Sequence, residues 1–179
     1  MNTRHVIEVV NQVKTCILFN FFLCVLIIIS GCGYTTQAYF LPASIKTVYI
    51  ETPRNKTDQP NLENELRTKL VSAFQNDGHL KIAANDSADA ALKGEIISYT
   101  RQGLRYGNDE SIREYRLTVT VNFQFIDTAS GDVIVKADNF SGDTDFYLSG
   151  SSAKSESTAR MEALDDLAHR MISRITTLW

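Results

Sequence analysis

The residue whose chemistry is most sharply set by its neighbours is Cys32, in the run Ile-Ile-Ile-Ser-Gly-Cys-Gly at 27–33. Ser30 and Gly31 are small enough to let an extended chain enter a peptidase active site. Before them, Cys16 to Ile29 is apolar apart from Asn20, about the length of a signal-peptide core and short of the roughly 20 residues that span a bilayer. Arg4 and Lys14 make the amino-terminal region positive, offset by Glu8. Together these features form a lipobox. The chain is expected to be cut between Gly31 and Cys32, the thiol to form a thioether to diacylglycerol, and the new amine to be acylated. Ile29 stands where leucine is commoner. An ordinary secretory leader and a short membrane anchor are the alternatives. Cysteine usage favours lipidation, because Cys16 and Cys24 fall in the segment to be removed and leave Cys32 without a disulfide partner. Two or more acyl chains then anchor stably. Gly33, where an aspartate would favour retention at an inner membrane, points to the outer membrane.

Other chemistry-bearing residues are sparse. His79 and His169 are far apart and lack zinc-ligand spacing, so no metal is expected. "GEIISYTRQG" has neither the spacing nor the lysine of a phosphate loop. "YLSGSS" at 147–152 reads as a loop entering a helix rather than a nucleophile elbow. Asp165 and Asp166 read as a solvated helix face, and the sequons at Asn55, Asn85 and Asn139 are discounted in a bacterial lipoprotein. No catalytic residues are expected. Arg101, Arg105, Arg113 and Arg116 gather in a short stretch, and guanidinium forks suit phosphate and carboxylate. They are the candidates for contact with an anionic lipid head group. The alternative is a solvated loop balanced by Asp109, Glu110 and Glu114.

Removal of 1–31 as a lipoprotein signal peptide leaves 148 of the 179 residues, enough for one domain with one core. Setting aside Arg4, Lys14 and Glu8 from the chain's 18 basic and 21 acidic residues leaves 16 against 20, and this slight acidity argues against a nucleic-acid partner. Residues 32–44 form the lipidated cysteine and a tether, and 45–179 a single domain.

"YRLTVTVNFQF" at 115–125 alternates apolar and polar residues, which predicts a strand with one buried and one neutral polar face. "TASGD" at 128–132 is a turn into a second hairpin arm at Val133 to Ala137. Strands are also expected at Leu92 to Tyr99 and Ile45 to Glu51, with a shorter candidate at Lys81 to Ala83. Thr100 to Ile112, with two glycines and mixed charge, reads as a long mobile loop, and Phe140 to Leu148 as a continuation of the hairpin or a loop. Helical period appears after Asn61 in Leu62, Leu66, Leu70, Ala73 and Phe74, with Gly78 as a stop. It appears again from about Ala153 to Thr177, in Leu164, Leu167, Ala168, Met171, Ile172, Ile175 and Leu178. Burying the five large residues from Leu164 to Ile175 contributes about 7–15 kcal/mol before entropy, an upper bound. The economical fold is α+β: a two-layer sandwich with two helices on one face of a four-stranded, mostly antiparallel sheet.

In order and spacing the chain resembles the lipopolysaccharide-assembly lipoproteins of the LptE type. The resemblance rests on "GCGY" at 31–34, "LPASIKTVYIETPRNKT" at 41–57 and the helix "NLENELRTKLVSAF", followed by "ADAALKGEIISYTRQ" at 88–102, "YRLTVTVNFQFIDTASGDVIV" at 115–135 and "ARMEALDDLAHRMISRI". It implies a non-enzymatic subunit that plugs the LptD-type outer-membrane β-barrel, assists its assembly and helps deliver lipopolysaccharide to the outer leaflet. The expected location is the outer membrane, by the lipid anchor, with the domain facing the periplasm and the barrel lumen. Rival readings are a pilot for another secretion pore, an activator of a cell-wall synthase, and a hydrolase with an unrecognised site.

Overall fold

A computed structural model describes residues 41–108 and 111–176. The leader, Cys32, most of the tether and Leu178 lie outside the described residues. In chain order the elements are β1 (Thr47–Ile50), β2 (Arg54–Asn55), α1 (Leu62–Asp77), β3 (Lys81–Ile82), β4 (Ala90–Tyr106), β5 (Ile112–Asp127), β6 (Val133–Tyr147) and α2 (Glu156–Thr176).

The sheet is six-stranded, ordered β3-β1-β4-β5-β6, with β2 pairing β4 further along its length. The expected four-stranded, mostly antiparallel sheet is therefore corrected in two ways. β2 and β3 hold two residues each, too few to show a period. β1 also pairs in parallel with both β3 and β4, because α1 carries the chain back across the sheet before β3. β4, β5 and β6 form an antiparallel meander.

The apolar residues of β5 set the inner face. Leu117, Val119, Val121, Phe123 and Phe125 are buried, while Thr118, Thr120, Asn122 and Gln124 alternate with them on the other face. Both helices lie over the inner face: Leu66 and Leu70 of α1 and Met171 of α2 meet Leu92, Val121 and Phe123. The α1 stripe is the expected one, and Gly78 ends it in the left-handed region (φ 75°), its N–H donating to the Phe74 carbonyl. Asn61 precedes the helix with φ 65° and offers no side-chain cap. Ser155 instead caps α2, its Oγ accepting from the Thr158 N–H at 3.1 Å.

At the base of the sheet Asp89 ties β1 to the start of β4. Its Oδ2 accepts from the Lys46 N–H (3.0 Å), the Thr47 N–H (3.0 Å) and the Thr47 hydroxyl (2.8 Å). In return the Asp89 N–H donates to Thr47 Oγ1. These donors, the Lys46 amide first, hold the Asp89 carboxyl below its ordinary value of 3.8. A depressed carboxylate contributes stability that is present above the unfolded value and is lost as pH falls through the folded one. The Asp89→Asn variant should therefore melt below the parent at neutral pH, with the gap closing in acid. A gap that is unchanged at acid pH contradicts this role.

The free side of β6 is a sheet edge, and part of it is covered. Asp166 of α2 accepts from the Asp143 N–H at 3.1 Å, and the Tyr147 carbonyl accepts from the Lys154 N–H at 3.1 Å. Nearer the turn, Asp138 and Asn139 together oppose Asn122. This is a bulge with Asn139 in the left-handed region (φ 53°), its N–H bonded to Asn122 Oδ1. Both devices discourage pairing of this edge with another strand.

Candidate functional site

Two surfaces stand out, the open sheet face and the far end of the β4–β5 hairpin. The expected loop at Thr100 to Ile112 is not a loop. β4 runs to Tyr106 and β5 starts at Ile112, so the hairpin extends well past the parallel part of the sheet. Register shifts beside Gly103 and Arg105 break the alternation that would otherwise reveal strands there. Phe140 to Tyr147 extends the meander as the continuation of β6.

The hairpin sets Arg105 and Arg116 on one face of the sheet and Arg101 on the other. Arg105 pairs across the sheet with Glu114, and Arg116 with Asp145, both on the open face. Arg101 lies opposite Leu117 on the helix side. There it pairs with Glu156 at the start of α2, and its guanidinium sits 4.9 Å from the centre of the Tyr115 ring. Arg116 makes a two-pronged contact with Asp145 (2.7 and 2.8 Å), with Asp143 at 3.5 Å. That hydrogen bond is the main reason the Asp145 carboxyl is held low. Arg113 is exposed beside Glu114.

Glu114 is the one buried charged residue among those described, 8% exposed. Arg105 Nε lies 3.4 Å from it, and its hydrogen bond with the Tyr147 hydroxyl raises that phenol above its ordinary range. Arg105, Glu114 and Tyr147 thus form a rung across all three strands, which stiffens the far end of the meander. Tyr99, on β4, donates to Glu156 at 3.0 Å, and burial, then that carboxylate, pushes it above the usual phenol range.

Between the paired charges the open face carries Ser98, Thr100, Thr118, Thr120 and Ser141, a hydroxyl-rich, uncharged band. Towards the base lies a shallow cleft of about 380 Å³ lined by Glu51, Arg54, Lys93, Glu95, Lys136 and Asp138. Its charges alternate in sign and pair locally, Lys56 with Glu95 at 2.6 Å and Lys136 with Asp138 at 3.2 Å. His79 sits beside Asp77 (2.8 Å) and His169 beside Asp165 (3.7 Å), in separate places. Asp165 also takes Lys69 of α1 at 2.9 Å, and Asp166 caps the β6 edge, so these acids do more than face water. Among the described residues no cluster of histidine, cysteine and acid could hold a metal ion, and no helix is long and apolar enough to cross a membrane.

The sequence matches the family model described as LptE, lipopolysaccharide-assembly, over residues 45–177. The chain belongs to the LptE family. No curated protein matches it. Two solved structures similar to this LptE-family chain share its fold. Lipoprotein B from Nitrosomonas europaea is 14% identical, with a TM-score of 0.52 over 82% of this chain and 90% of that one. A protein from Xanthomonas campestris is 13% identical, with a TM-score of 0.52 over 76% and 89%. The PelC dodecamer from Paraburkholderia phytofirmans is 18% identical, with a TM-score of 0.47 over 75% and 93%.

Reading from residues alone missed the apolar side chains at the hairpin end. Leu104, Tyr106 and Leu148 are 40, 62 and 53% exposed. Leu104, Tyr106 and Ile112 fall inside the segment read as a loop. Three large apolar residues among so few others are the signal that could have marked it.

Proposed function

We propose that this LptE-family chain is an outer-membrane lipoprotein, acylated at Cys32, that seats in the lumen of an LptD-type β-barrel and assists lipopolysaccharide delivery. The observation that carries this reading is the family match across the whole folded domain. The surface chemistry is compatible with it. A barrel lumen is wet and polar, and a sheet face of paired charges and hydroxyls can lie against such a wall without burying an unpaired charge. The role is one of assembly rather than catalysis. The arginines at 101, 105, 113 and 116 remain the positions proposed for lipopolysaccharide phosphates. A phosphate at Arg101, Arg105 or Arg116 must compete with Glu156, Glu114 or Asp145 respectively.

Depletion tests the reading. Lipopolysaccharide should fall at the cell surface and accumulate inside, while other outer-membrane lipoproteins stay in place. An unchanged surface, with loss of a different secreted polymer or of cell-wall synthesis, points to the pilot or activator roles instead.

A further inference from the structure

The two sides of the sheet are finished differently. On the free side of β6, Asp166 accepts from the Asp143 N–H, the Lys154 N–H donates to the Tyr147 carbonyl, and a bulge at Asp138 and Asn139 turns the strand. On the other side, β1 pairs with β4 at 90–92 and β2 pairs with it at 95–96. Beyond Ile96, no strand among the described residues pairs with that side of β4. Between the register shifts beside Ile96 and Gly103, Ser98 to Gly103 runs regularly against Thr120 to Tyr115. This run is about 20 Å long, the ordinary length of a strand.

The hydrogen-bond pattern fixes which main-chain groups face out. The Leu92 and Ile96 carbonyls accept from the Glu51 and Lys56 N–H groups, so both residues turn away from β5. Their antiparallel partners, Phe125 and Val121, therefore turn away from β4, and every second residue of β5 does the same. Thr120, Thr118 and Arg116 then face β4, with Ser98, Thr100 and Gln102 opposite them facing β5. Tyr99, Arg101 and Gly103 are left with N–H and C=O directed outwards, in a stretch exposed at Thr100, Arg101 and Gln102. A row of outward donors and acceptors on an extended backbone is a template for one more strand.

The side chains narrow the choice of strand. On the open face Ser98, Thr100 and Gln102 belong to an uncharged polar band with Thr118, Thr120 and Ser141. A strand that continues this band carries uncharged polar residues at every second place. A second copy of this chain fits poorly. The antiparallel register that matches all three outward residues of one β4 with those of another sets Arg101 opposite Arg101, and like charges directly opposed destabilise a pair.

We infer that the outer edge of β4, from Ser98 to Gly103, is a strand-addition site for an extended segment of a partner protein with serine, threonine, asparagine or glutamine at alternate positions. The inference goes beyond the proposed function. The strands of a closed barrel are all paired, so the added segment is not part of a barrel wall.

The test places a photoreactive benzoylphenylalanine at Thr100 or at Gln102 of the full chain in its own cells. Lys136, exposed on β6, is the control position. After irradiation, 100 and 102 should capture one partner protein at residues two places apart in a single segment that 136 does not reach. Capture spread over unrelated segments, capture of lipid alone, of this chain itself or of no protein overturns the inference. A second arm compares Arg101→Pro with Arg101→Ala, each combined with the photoreactive residue at 102. Both variants lack the guanidinium, and they differ in one outward N–H that the pairing with β5 does not use. Capture should fall at least tenfold in the proline variant relative to the alanine variant, with equal melting temperatures. Equal capture in the two overturns the inference. If the proline variant melts lower, the spacing of the captured residues in the first arm decides alone.

Discussion

Gly142→Ala is expected to destabilise the domain by about 3 kcal/mol, the upper end of what overpacking usually costs. Gly142 lies in β6 where α2 crosses it. An added Cβ would stand 2.4 Å from the Leu167 nitrogen and 2.6 Å from its Cα and Cβ. Those neighbours are helix backbone and the root of a buried side chain, so no rotamer change relieves the clash. The helix cannot retreat cheaply, since Ala159, Ala163, Leu164 and Ala168 on the same buried stripe are fully enclosed. Small residues on both elements are what allow so close an approach. With total stability of about 5–15 kcal/mol for such a domain, this one methyl removes a large share. Urea denaturation of the domain checks it: the midpoint should fall with the slope unchanged. A change within about 0.5 kcal/mol, as for an ordinary surface site, would mean that helix and strand are not so close.

Cys32→Ala is expected to have the largest effect on function. Without the thiol there is no thioether, and without the thioether no diacylglycerol. Each buried methylene contributes about 0.8 kcal/mol to membrane attachment, so under the proposed lipidation loss of the acyl chains removes that anchor rather than weakening it. The variant protein should leave the mature outer-membrane fraction, and lipopolysaccharide delivery should fail although the domain, whose core begins beyond the tether, still folds. Fractionation and intact mass report this together. A variant that still sediments with the outer membrane and supports delivery would show that lipidation is not what holds it there.

Much of the fold could be read from local pattern, and the failures share a cause. The α1 stripe and the buried face of β5 are properties of single segments whose periods of 3.6 and 2 survive in the sequence. The long hairpin reads as a loop in the sequence because Gly103, Gly107 and the charged residues at 105, 113 and 114 interrupt the alternation, and because bulges move successive side chains off a strict two-residue repeat. The parallel pairing of β1 with β3 and β4 depends on where α1 returns the chain, which no local window contains. β2 and β3 exist only because neighbouring strands template them. The arginines are grouped in sequence, but strand pairing sets Arg105 and Arg116 on one face and Arg101 on the other, against Glu114, Asp145 and Glu156 respectively. Glu114, in the middle of that cluster, reads in the sequence as one of several loop charges. Only the cross-strand register shows it buried between Arg105 and Tyr147.

Whether this LptE-family domain works inside a barrel is decided by isolating the full chain from native membranes in mild detergent. One LptD-type outer-membrane β-barrel should co-isolate in a stable complex, together with lipopolysaccharide. Recovery of a secretin or a penicillin-binding protein in its place, or of the chain alone under conditions that keep other outer-membrane complexes intact, would contradict it.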